Sequence, residues 1–78
     1  MKVGDLVRVV SGSGYYEDGE PEPCNWPESK DQVSMILEIK YRNFVWPSHT
    51  ARVTTAVVDI LGEIAEFKTD GLAIVSPV

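Results

Sequence analysis

Val57 to Val75, VVDILGEIAEFKTDGLAIV, decides the fold of this chain. Its opening is apolar and β-branched. Leu61-Gly62-Glu63 then reads as a tight turn, because glycine accepts the positive φ that hairpin connections need. On the return arm Ile64 and Glu66 point to one side and Ala65 and Phe67 to the other, the two-residue period of a strand. Lys68-Thr69-Asp70-Gly71 supplies turn formers, read as one short helical turn, and Leu72, Ile74 and Val75 make a closing apolar segment. A hairpin, a helical turn and a short last strand are how small five-stranded barrels close. An all-β fold is therefore expected.

Working back along the chain, Arg52 to Leu61 reads as one long strand. Its run of Val53, Thr54, Thr55, Val57, Val58 and Ile60 disfavours helix, since β-branched side chains crowd a helical turn. Val33 to Tyr41 reads as another, with Met35, Leu37, Ile39 and Tyr41 forming one apolar face and Ser34, Ile36, Glu38 and Lys40 the other. Between these two, Arg42 to Ala51 is expected to be a loop. The first strand runs from Lys2 to Val10. Val7 and Val9 share a face, and Gly4-Asp5 suits a turn or bulge that re-aims the strand.

Residues 11–32 carry three glycines, three prolines and seven charged groups with no apolar period, and read as a long loop after the first strand. Connections of this length inside a small domain are uncommon and are usually functional or disordered. The single domain is expected to span 1–78 with 11–32 as its insertion. A chain of 78 residues buries only roughly 60–65% of its unfolded surface, so its core is modest.

The formal net charge is −5. All of it resides in the insertion, where Glu17, Asp18, Glu20, Glu22, Glu28 and Asp31 face Lys30 alone. The remaining acids and bases balance. Phosphate backbones are bound by clustered Lys and Arg, so nucleic acid is not an expected partner. No apolar run reaches the roughly 18 residues of a helical membrane span, and Met1-Lys2-Val3 leads into polar Gly4-Asp5, so neither membrane insertion nor a signal peptide is expected. Cys24 is the one cysteine, which excludes an internal disulfide and a multi-thiolate zinc site. A reducing compartment is the expectation.

No catalytic or metal-binding constellation emerges. His49 is the one histidine, flanked by Ser48 and Thr50, and reads as a surface residue because adjacent side chains rarely align for nucleophilic attack. Ser11-Gly12-Ser13-Gly14 lacks the Lys and following helix of a phosphate loop. Glu17 to Pro23 departs from the alternating acidic spacing of a calcium loop. Cys24 has no local base. The chain reads as non-enzymatic, with no cofactor and no metal.

The aromatic residues are more informative. Tyr15, Tyr16, Trp26, Phe44 and Trp46 all fall in the two expected loops, and Trp26 and Trp46 each precede a proline, which biases the backbone before it toward extended. Large aromatics either anchor interfaces or fold back to cap a small core. Both readings stand at this point.

KVGDLVRV, SMILEIKYR and AVVDILGEIAEFKTDGLAIV together resemble a group of short bacteriophage proteins with an SH3-like barrel. The positions that carry the resemblance are Lys2, Gly4, Asp5, Leu6 and Val7, then Leu37, Glu38 and Ile39, then Asp70, Leu72 and Val75. It covers roughly two thirds of the chain, leaving out the two loops, and its motifs are structural. Ser34 stands where glycine is commoner, and the first loop is long for the group. The resemblance implies a small five-stranded SH3-like barrel and a phage origin. It also implies that the two aromatic loops lie near each other. Tyr15, Tyr16, Glu17, Asp18, Trp26, Phe44 and Trp46 would then form a partner-binding surface suited to a protein with a basic or proline-containing face. The expected role is a virion structural or assembly accessory protein, able to assemble with itself or with a virion. The alternative is an acidic inhibitor or regulator of a host enzyme, acting in the host cytoplasm.

Overall fold

The hairpin that decides the fold forms as read. Leu61 and Gly62 take φ of +52° and +81°, the two positive values of a type I′ turn, whose twist matches that of the strands it joins. The computed structural model describes every residue except Asp18, Gly19, Pro21 and Trp46, and of Phe44 the backbone alone. Over these residues the chain forms eight strands: β1 (Leu6–Val9), β2 (Ser13–Tyr16), β3 (Cys24–Asn25), β4 (Val33–Met35), β5 (Glu38–Val45), β6 (Thr50–Ile60), β7 (Glu63–Lys68) and β8 (Leu72–Ser76). Short 3-10 turns occupy Pro27–Ser29 and Thr69–Gly71, the second being the helical turn expected before the last strand.

The strands pair antiparallel in two sheets, of three strands in the order β4-β1-β8 and five in the order β3-β2-β7-β6-β5. The core lies between them. Val7 and Val9 of β1 and Leu72 of β8 meet Ala56, Val58 and Ile60 of β6 and Ala65 and Phe67 of β7, with Ile36 from the β4–β5 junction. Each large apolar side chain buried there contributes about 1.5–3 kcal/mol relative to exposure. Asp5, which follows the expected turn at Gly4, is buried. Its carboxylate accepts the backbone N–H of Lys2 at 2.9 Å and of Val78 at 2.9 Å, stitching the two ends of the chain together. Those two donors, Val78 first, hold its pKa below the usual carboxylate value.

Four expectations are corrected. The fold is all-β, but it has eight strands in two sheets and is not a closed five-stranded barrel. Residues 11–32 are not one loop. They contain β2, β3 and a 3-10 turn, because the edge of β7 accepts β2, with Tyr15 opposite Phe67 and Tyr16 opposite Glu66. At the root of this hairpin the Trp26 N–H donates to the Gly12 carbonyl at 2.7 Å, and a Cβ at Gly12 would sit 2.3 Å from the Trp26 carbonyl oxygen. Only glycine fits there.

The strand expected over Val33 to Tyr41 is split. The chain leaves the small sheet after Met35 and enters the large one at Glu38, which resets the alternation. Ile36, assigned to the mixed face, is a core residue at 1% exposure, whereas Met35, Leu37 and Tyr41 from the apolar face are exposed. The loop expected over Arg42 to Ala51 is mostly strand, since β5 runs on to Val45 and β6 starts at Thr50.

Candidate partner-binding surface

Strand alternation sends the two tyrosines of β2 in opposite directions. Tyr15 faces the core, with its ring 5.4 Å from Phe67 and 5.1 Å from Trp26, both tilted. Trp26 lies nearly parallel to Phe67 at 6.4 Å. Both rings are partly buried and pack on the hydrophobic core. Of the two readings for loop aromatics, Tyr15 and Trp26 take the one in which they cap the core.

Tyr16 faces the other side of the five-stranded sheet and is 3% exposed. Arg42 of β5 reaches across β6 to it, its guanidinium 4.1 Å above the ring centre. The same guanidinium donates to both carboxylate oxygens of Glu66 on β7, Nε at 2.8 Å and Nη2 at 2.9 Å, and Nη1 donates to the Glu20 carbonyl at 3.2 Å. The fully buried Thr55 hydroxyl donates to Glu66 Oε2 at 2.6 Å. Arg42 therefore clasps four strands, β5, β6, β7 and β2, and also the segment after β2. Two parallel charge-assisted bonds give such a pair definite geometry.

The electrostatics follow. The Arg42 hydrogen bonds hold the Glu66 pKa below its usual value against the opposing effect of burial, with the Thr55 bond helping. Glu66 raises that of Arg42, and burial raises that of Tyr16. Among the described residues no buried side-chain nitrogen or oxygen lacks a partner. The clasp borders an open hollow of about 350 Å³ whose wall includes Tyr16, Glu17, Lys40 and Ile64.

The sequence-derived site residues thus separate. Tyr16 and Glu17 line this hollow and Tyr15 contributes to its wall, while Trp26 sits on the core side. Phe44 falls on β5, opposite Ala51; its side chain, with Asp18 and Trp46, lies outside the described residues. Tyr41 and Arg42 are the functional candidates that sequence reading passed over, because it ends a strand at Tyr41 and begins a loop at Arg42. The usable signal was the strand-favouring pair Phe44-Val45 after Arg42, which fits an extension of the strand.

Beyond the clasp, β5 and the start of β6 form a two-stranded arm. Its face on the core side carries Tyr41 at 54% exposure and Val45 at 78%. Arg52 lies 3.9 Å over the Tyr41 ring. At the arm's tip the Ser48 hydroxyl lies 3.0 Å from His49 Nδ1, with both residues exposed to solvent. Among the described residues no group of His, Cys, Asp and Glu is placed to hold a metal ion. Among the described residues no helix is long and apolar enough to cross a membrane. No protein-family model, curated protein or solved structure matches this chain.

Proposed function

We propose that this chain is a non-enzymatic protein-binding module of SH3-like build that serves a phage as a virion structural or assembly accessory protein. The observation that carries the reading is the β5–β6 arm. Its Tyr41 and Val45 are exposed, on a strand pair that extends beyond the stretch of β6 paired with β7. Exposed apolar groups on a projecting element mark contact sites more often than scattered surface residues do. The SH3-like build is supported by the strand order, by the Val33–Val45 stretch that serves both sheets, and by the 3-10 turn between β7 and β8. The phage setting rests on the sequence resemblance.

A partner with a basic or proline-containing face suits the exposed Glu17, Glu20 and Glu22 on the hairpin beside the clasp. The same acidic cluster favours a second reading, an inhibitor of a host enzyme that offers negative charge to a basic cleft in the host cytoplasm.

Mass spectrometry of purified particles of the source phage separates them. The accessory role predicts this chain in fixed stoichiometry, and the inhibitor role predicts its absence. In particles, Val45→Asp lowers incorporation at least about tenfold while leaving stability within about 0.5 kcal/mol, because the side chain is exposed. Equal incorporation of the variant would remove the arm from the contact. For the inhibitor, capture of the host enzyme weakens steeply between low and high salt.

A further inference from the structure

We propose that residues 75–78 form a hinged segment which Asp5 latches onto the small sheet, and which swings free when the Asp5 carboxylate takes up a proton. The hinge is visible in the register. Val7 stands opposite Ile74 and Leu6 opposite Ser76, so β8 carries one residue more than β1 here, and Val75 forms a bulge in the ladder. Past the bulge, packing holds little. Every residue from Ile74 to Val78 is exposed, Val75 at 53% and Val78 at 73%. Pro77 has no N–H, so after Ser76 the next backbone donor is that of Val78. That donor is given to Asp5.

Asp5 stands just before β1, the central strand of the small sheet, and is 2% exposed. Its Oδ1 accepts the Val78 N–H and its Oδ2 the Lys2 N–H, both at 2.9 Å. Gly4 beside it, at φ +95°, leaves room for the Val78 side chain, since a Cβ there would stand 2.6 Å from Val78 Cγ2. A buried carboxylate is costly unless its oxygens are bonded. Ionised, it offers acceptors alone, which suits two facing N–H groups.

Protonation breaks this match. One oxygen becomes a donor and faces an N–H that it cannot accept. The Lys2 N–H is fixed in a turn, which the Asp5 N–H closes again on the Lys2 carbonyl at 3.1 Å. The Val78 N–H sits on the exposed segment beyond the bulge. The segment therefore yields, and Leu6 loses its pairing with Ser76 while Val7, Arg8 and Val9 keep theirs with Ile74, Ala73 and Leu72. The Met1 amine and Lys2 favour the ionised, latched form. The Val78 α-carboxylate, a like charge, opposes it. Residues 33–37, which meet Asp5 through the Ile36 N–H on its carbonyl, bring no ionisable side chain. The bonds from Val78 and Lys2 hold the Asp5 pKa below its ordinary 3.8. The latch is therefore shut above that value and opens as pH falls through the lowered one.

The test is an NMR titration of the full chain from about pH 6 to about pH 2.5, which spans carboxylate protonation. The Asp5 carboxyl carbon reports its own midpoint. At that midpoint the Val78 amide shifts, and the order parameters of Val75, Ser76 and Val78 fall below about 0.6 while those of Val9 and Val58 hold. Asp5→Ala, which removes both acceptors, shows the low values already at neutral pH. The titration needs no substitution and decides the question if that variant fails to fold. A Val78 amide that ignores the Asp5 midpoint, or follows that of Glu66 instead, overturns the proposal. So does a loss of order that takes Val58 with it, which is unfolding of the domain rather than release of the segment. An Asp5→Ala variant that folds with residues 75–78 still ordered overturns it as well.

Discussion

The two ends of β6 occupy different surroundings. From Thr55 to Ile60 the strand is paired with β7, with β5 on its other side as far as Val57 and the Ser34 hydroxyl accepting the Asp59 N–H, and every residue but Asp59 is buried. From Thr50 to Val53 its one strand partner among the described residues is β5, and Val45 opposite Thr50 is among the most exposed apolar residues described. Both ends are hydrogen-bonded strand; packing buries only one. An isolated two-stranded hairpin is marginal in water. The arm therefore depends on its root in the core and on the Arg42 clasp. One strand thus supplies both the core and a projecting surface.

The largest effect belongs at the packed end. Ile36 is 1% exposed at the point where the chain crosses between sheets, and the next residue's N–H donates to the Val57 carbonyl at 2.8 Å. Ile36→Ala is expected to cost about 2–5 kcal/mol by lost transfer energy and the cavity left behind. A domain of this size has roughly 4–12 kcal/mol in total. Ile39→Ala, one step toward the arm and only partly buried, should cost clearly less. Urea midpoints of the pair, with unchanged m-values, check this. An equal loss at both positions would mean that the packing does not fall away toward the arm as described.

What was legible in the sequence follows the same division. Val57 to Val75 could be read because one face is buried throughout, so alternation, turn glycine and terminal 3-10 turn all point to one answer. The Val33–Tyr41 face was misread because a strand that changes sheets changes which parity is inside. Ile36 then takes the core position that periodicity gave to Leu37. The hairpin within 11–32 was hidden for another reason. Its strands hold four and two residues, too short for a period to show, and are anchored by Tyr15 and Trp26 against Phe67 rather than by alternation. The clasp left no sequence signal, since Arg42 and Glu66 are 24 positions apart and meet only because β6 lies between them.

Cutting the clasp tests whether the arm needs it. Arg42→Met keeps an apolar stem over Tyr16 but leaves the Glu66 carboxylate, 14% exposed, with the Thr55 hydroxyl as its remaining described partner. A lost charge-assisted hydrogen-bonded pair costs about 1–2 kcal/mol here, and amide exchange should quicken over Tyr41–Val53 more than over Thr55–Ile60. Uniform quickening along β6 would show that the clasp supports the whole sheet. The pH dependence has a definite sign. The folded pKa of Glu66 lies below its ordinary 4.5. Its contribution is present above that value and is lost as pH falls through the lowered folded pKa. The wild type should therefore lose stability below about pH 4.5 more steeply than Arg42→Met, a difference that paired acid titrations read directly.

The smallest effect lies at the turn that closes the packed hairpin. Leu61 holds φ at +52°, a conformation that crowds a β-carbon-bearing leucine, while its side chain is 55% exposed and has little packing to lose. Asparagine tolerates this region and is the preferred partner of glycine in a type I′ turn. Leu61→Asn should therefore stabilise the domain by about 0.5–1 kcal/mol, a rise of several degrees in Tm for a chain of this length. Gly62→Ala should do the reverse by a similar amount. Nothing lies within 4 Å of where its Cβ would be, so the φ of +81° is the whole of the effect. If Leu61→Asn destabilises instead, the leucine is packing against something in spite of its exposure. Because the turn is rooted in the packed end of β6, neither substitution should change amide exchange in the arm. The arm's opening is governed at the far end of the same strand.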